Sequence, residues 1–89
     1  MKRWVVKWAV ANTGGVEERA TVEAETWEEA WRWGDEWARG AARQVAWVVV
    51  SVSDGTDYHE SVIQVRPLSS AERRASARRL ARIPVRQVT

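Results

Sequence analysis

The feature that most restricts this chain is a double change of hydrophobic period, from two to 3.6 and back to two. Over residues 3–11 the apolar side chains alternate: Trp4, Val6, Trp8 and Val10 point one way, and Arg3, Val5, Lys7 and Ala9 the other. That is the pattern of a β-strand. Residues 16–24 alternate more cleanly, with Val16, Ala20, Val22 and Ala24 set against Glu17, Arg19, Thr21 and Glu23; Glu18 is the one polar residue on the apolar side. Asn12-Thr13-Gly14-Gly15 between the two runs is a turn signal, because glycine adopts positive φ at little cost. The period then changes. Thr26-Trp27-Glu28-Glu29 fits a capping box, and a helix over 27–42 gathers Trp27, Ala30, Trp31, Gly34, Trp37, Ala38, Ala41 and Ala42 on one side. Trp33 lies about 100° off that stripe and is expected to be exposed.

Alternation resumes at Gln44–Ser53, a strand apolar on both faces, with Val45, Trp47 and Val49 against Ala46, Val48, Val50 and Val52. Asp54-Gly55-Thr56-Asp57 is a hairpin loop, and residues 58–66 form a last strand that Pro67 ends. Strand directions then limit the topology. Strand 1 runs up, strand 2 down, the helix returns, and strand 3 runs down beside strand 1. The expectation is an α+β fold: a four-stranded antiparallel sheet of ββαββ connectivity, order 2-1-3-4, with one amphipathic helix on one face. Strands 1 and 3, apolar on both faces, suit the centre, and strands 2 and 4 read as polar edges.

The remainder is a different kind of segment, so the chain divides into a ββαββ domain over 1–67 and a basic C-terminal helix or arm over 68–89. A second capping box, Ser69-Ser70-Ala71-Glu72, opens it. Arg74, Arg78 and Arg82 follow at i, i+4 and i+8 with Arg79 beside them, opposite a thin stripe of Ala77, Leu80 and Ala81. So narrow a stripe is expected to dock loosely or to order only with a partner. Charge is segregated along the chain: residues 17–36 hold eight carboxylates against Arg19 and Arg32, and residues 69–89 hold six arginines against Glu72.

Composition excludes several chemistries. With no cysteine there is no disulfide, thiolate nucleophile or zinc ribbon. The longest apolar run, Val45–Val50, is strand-sized, and Lys7 interrupts the start of the chain, so neither a membrane span nor a signal peptide is read and a cytoplasmic location is expected. His59 is the one histidine and has no evident orienting partner, because turn chemistry already accounts for Asp54 and Asp57. Asp54, Asp57, His59 and Glu60 lack the ligand spacing of a calcium or zinc site. Gly14-Gly15 sits in a hairpin and opens no helix, so no phosphate loop is present. A non-enzyme without catalytic residues, metal or cofactor is the expectation.

Trp27-Glu28-Glu29-Ala30 followed by Ala46-Trp47-Val48-Val49-Val50 resembles dodecins, small flavin-binding β-α-β-β proteins that assemble into shells. The hairpin before the helix and the arginine-rich segment after the last strand depart from that pattern. They undermine the shell assembly, and the flavin site is not carried over.

Two functional expectations remain. The first is nucleic-acid binding through Arg73, Arg74, Arg78, Arg79, Arg82 and Arg86, whose mutual repulsion phosphates would relieve; an acidic protein surface would relieve it equally. The second is a protein-interaction module working through Trp33, Glu28, Glu29 and Glu36, such as a viral inhibitor of a host enzyme, or a self-assembling subunit. One helix on a four-stranded sheet leaves the second face bare, with Val5, Ala9, Tyr58, Val62 and one side of strand 3 on it. Three covers are conceivable for that face: the C-terminal helix, a second copy in a homodimer, or stacked bases. The arginine helix offers too little apolar area for membrane insertion.

Overall fold

The computed structural model describes residues 1–11 and 17–88. The turn expected at Asn12–Gly15, and the start of strand 2 at Val16, lie outside the described residues. The elements are β1 (Lys2–Val10), β2 (Glu17–Ala24), α1 (Trp27–Ala41), β3 (Ala46–Ser53), β4 (Tyr58–Val65), α2 (Ser70–Arg82) and β5 (Arg86–Gln87). The fold is α+β, with an antiparallel sheet and two helices.

The sheet corrects the four-strand expectation. It has five strands in the order β4-β3-β1-β2-β5, in place of 2-1-3-4. The addition is β5, which pairs antiparallel with β2 through Val22↔Gln87 and Glu23↔Arg86. Two residues are too few for a period of two to register, so alternation could not announce this strand. Its placement is nonetheless well defined: Val88 N–H donates to the Thr21 carbonyl at 2.7 Å, and Arg86 Nε donates to Glu23 Oε1 at 2.9 Å. The polar character of β2, read as an exposed edge, is in part the docking surface for this short strand.

Alternation puts Trp4, Val6, Val22, Val48, Val50 and Val52 on the face beneath α1, where all are buried. Trp4 also donates its indole N–H to the Ala24 carbonyl at 3.2 Å, so its polar atom is satisfied inside the core. Small residues line the helix side of the contact: Ala30, Gly34 and Ala38 are buried against the strands. A Cβ on Gly34 would lie 2.6 Å from Val6 Cγ1 and 3.1 Å from Val50 Cγ1. The helix therefore sits as close to the sheet as a bare backbone allows. Thr26 caps α1, its hydroxyl accepting from Glu29 N–H at 3.3 Å.

Trp33 is a second correction. It is 7% exposed and belongs to the core cluster with Trp4, Val6, Val22, Ala30 and Ile83. The wheel placed it off the sheet-facing stripe, but that flank of α1 is covered by α2. Trp33 packs tilted against Trp37, ring centroids 5.2 Å apart, and Trp37 meets Trp8 edge-on at 6.0 Å. The buried surface of α1 thus extends well beyond the sheet.

Segment 68–89 is neither a free arm nor a cover for the bare sheet face. The α2 helix packs against α1, on the same side of the sheet. Its Ser69 cap forms the full box: Glu72 N–H donates to Ser69 Oγ at 3.2 Å, and Ser69 N–H to Glu72 Oε1 at 3.0 Å. Pro84 ends the helix, with Val85 N–H returning to the Ile83 carbonyl at 2.7 Å in a tight turn that delivers the chain to β5. Ile83 is buried in the same cluster as Trp4, and Leu80 packs on it.

Candidate nucleic-acid interface

The arginine-rich segment divides into two sets once its contacts are known. Arg79 and Arg86 hold the fold together. Arg79 Nε donates to Glu36 Oε1 at 2.8 Å, and Arg86 pairs with Glu23 through both Nε and an Nη. Glu36 also accepts from the buried Ser76 hydroxyl at 2.7 Å, so one carboxylate of α1 secures two residues of α2. Burial tends to raise the Glu36 pKa, yet the bonds from Arg79 and Ser76 outweigh it and leave the carboxyl below its ordinary value. Glu23 is likewise lowered, chiefly by its hydrogen bond to Arg86.

The other set faces solvent. Arg74, Arg78 and Arg82 are exposed and make no hydrogen bond or ion pair among the described residues. They occupy one row of α2, successive members about 6 Å apart along the axis. Arg73, exposed on the flank of α2, donates from Nε to the Leu68 carbonyl at 3.3 Å. Ala77 and Ala81, expected on the apolar stripe opposite the row, are instead exposed and with Ala71 stand beside it, because the packed side of α2 is Ser76 with half-buried Ala75 and Leu80. The small alanine side chains leave close approach to the row open.

The remaining sequence-derived candidates are placed as follows. Trp33 is core and presents no surface. Glu36 is bound to Arg79 and Ser76. Glu29 is half-buried in the cap of α1, with Thr26 Oγ1 3.4 Å from its carboxylate. Glu28 is exposed in the first turn of α1, where the helix dipole favours it. These four do not converge on one patch.

Sequence reasoning missed the residues that hold α2 in place. Arg66 makes two bonds to Glu72, at 3.1 and 2.6 Å, and with the Ser69 N–H it draws the Glu72 carboxyl down to about 2. Ser76 carried a signal, being a small polar residue on the flank of α2 that also carries Arg79. A cleft of about 550 Å³ between α2 and the end of β4 is lined by Arg39, Arg66 and Arg79, but each is already paired, with Asp35, Glu72 and Glu36. His59 faces the helix side, its ring stacked on Trp27 at 3.9 Å and nearly parallel. No group of three or more metal-ligating side chains occurs among the described residues. Nor, among them, is any helix long and apolar enough to cross a membrane.

Comparison with known proteins returns no matching family model, no similar curated protein and no similar solved structure.

Proposed function

We propose that this protein is a small non-catalytic module that binds nucleic acid through the outer face of α2. The observation that supports the reading is the unpaired row Arg74, Arg78 and Arg82, with Arg73 nearby and the exposed Ala77 and Ala81 beside it. Three guanidinium groups held along a rigid helix repel one another, and like pairs at this spacing cost a few tenths of a kcal/mol each. Phosphates would turn that cost into attraction and release condensed counterions. Arginine suits the task, because its planar fork grips phosphate oxygens in pairs. No Asn or Gln accompanies the row, so backbone contact of low sequence selectivity is the natural mode. Arg79 and Arg86, committed to Glu36 and Glu23, contribute to the platform rather than to the contact.

The test is fluorescence anisotropy with labelled DNA and RNA over a salt titration. Wild-type affinity should fall steeply between about 50 and 200 mM salt. Replacing Arg74, Arg78 and Arg82 together by Gln should lower affinity about 100-fold or more and flatten the salt slope by roughly two to three. No binding at low salt, or an unchanged slope in the triple variant, refutes the proposal. Capture of an acidic protein by the same three arginines, with no response to nucleic acid, would transfer the surface to the alternative partner class.

A further inference from the structure

We propose that the sheet face turned away from the helices is a self-association surface, closed by a second copy of this chain about a two-fold axis parallel to the strands.

The face is defined by register. Across its middle, Arg19 of β2 stands opposite Lys7 of β1, Lys7 opposite Ser51 of β3, and Ser51 opposite Glu60 of β4. The central row therefore begins with two cations and ends with a carboxylate. Towards the end of the sheet where β4 leads into α2 the outer surface is apolar: Trp47 and Val62 are each 56% exposed, and Val49 lies between them beside Ala9. None of this face is covered by α2. Like charges directly opposite on neighbouring strands are unfavourable, and Lys7 with Arg19 is such a pair. Glu17 touches both only loosely, at 3.6 and 3.8 Å. Glu60 has no cation among the described residues; Tyr58 holds it in place, donating its hydroxyl to the carboxylate at 2.8 Å.

Two ways of laying one copy on another are distinguished by this row. An axis across the strands sets each strand on its own counterpart, placing Arg19 over Arg19 and Glu60 over Glu60. An axis parallel to the strands, between β1 and β3, sets β2 over β4 and β1 over β3. Arg19 then meets Glu60 of the second copy, twice by symmetry, and Lys7 lies over Ser51 with that same carboxylate beside it. Trp47 falls over the small side chains Ala9 and Ala11 of the second copy, so the largest residue meets the smallest ones. The charge pattern selects the second arrangement, which is an isologous contact. Stacked bases suit the face less well, since Glu17, Glu23 and Glu60 nearly balance Arg3, Lys7, Arg19 and Arg86 on it.

Four strands of eight residues present about 500 Å². Two copies would bury about 1,000 Å², the lower limit for a specific interface, so the dimer forms at micromolar rather than nanomolar concentration. The two α2 helices then face outwards on opposite sides. This inference does not depend on what α2 binds.

Sedimentation equilibrium without nucleic acid decides it. Wild type should pass from monomer to dimer over about 10–500 µM. R19E and E60R should each weaken dimerisation about ten-fold or more, and the double reversal R19E/E60R should return it to within about three-fold of wild type. Both positions are exposed, and circular dichroism reports that each variant is folded. A wild type still monomeric at about 1 mM, or a double reversal no better than the single changes, overturns the proposal. Oligonucleotide binding that survives loss of the α2 arginines but disappears in Trp47→Ala would assign the face to bases and overturn it equally.

Discussion

The two helices begin alike, each behind a hydroxyl cap with a glutamate three residues on, yet they are held in place by different physics. The α1 helix is pressed on the sheet by Ala30, Gly34 and Ala38, with tryptophans filling the space on either flank. Its seat is mainly shape, with one polar link to the sheet, Arg39 Nη1 donating to the Gln64 carbonyl at 3.3 Å. The α2 helix is joined to the core by Leu80, by Ile83 just past its end, and by one polar junction with α1, Glu36 with Ser76 and Arg79. Identical start signals therefore say where a helix begins and nothing about how firmly it is attached. What sets the attachment is the width of the apolar stripe, broad in α1 and narrow in α2.

The sharpest way to break the contrast is Gly34→Val. With Val6 and Val50 both fully buried beneath it, the added side chain has no room to displace them. A loss of about 3 kcal/mol is expected, read as a lowered urea midpoint with far-UV and tryptophan signals falling together. Glu36→Ala should act on the other helix alone. It strands the buried Ser76 hydroxyl and frees Arg79, costing about 1–2 kcal/mol, with amide exchange accelerated in α2 and unchanged in β1 and β3.

Acid should separate the helices further. Glu72 of α2 is drawn down to about 2, first by its hydrogen bond to Arg66, so its support is complete above the ordinary carboxylate value and is lost as pH falls towards 2. Asp35 of α1 is shifted the other way, raised by burial against the pull of Arg39. It takes up its proton more readily folded than unfolded, so acidification favours the folded form at that site. Helical signal from α2 should therefore fade between about pH 4.5 and 2. The fluorescence of Trp33, which α2 covers, should shift in step while the α1 helix and the sheet persist, as circular dichroism and fluorescence followed together will show. Smallest of all is the effect of Arg78→Gln on stability. An exposed, unpaired side chain on α2 should change it by less than about 0.5 kcal/mol.

Much of this was legible because burial and alternation are coupled so simply in a sheet. Once Trp4, Val6 and Val22 share a face, the strands and the seat of α1 follow, and so does the adjacency of β1 and β3 from chain direction. Trp33 was misread because a helical wheel knows one partner surface, and α1 has two. Strand β5 was invisible because two residues carry no period and its attachment depends on Glu23, sixty-three positions away from Arg86. The arginine row was plain in the sequence; which of its members were already engaged was not, since Glu36 and Glu23 belong to other elements.

The attachment of α2 at both ends has a consequence of its own. The helix is strung between β4, at one margin of the sheet, and β5, at the other. Released from α1, it would remain within a few ångströms of its seat, closing only a short span to return. For such a tether the entropy of re-docking is small, and the effective concentration of helix at its site is on the order of millimolar. A modest set of contacts is then enough to keep α2 docked most of the time, and the row of arginines stays displayed on a fixed axis. A detached peptide of residues 70–82 would have the same side chains without that advantage, and at its length would hardly be helical in water.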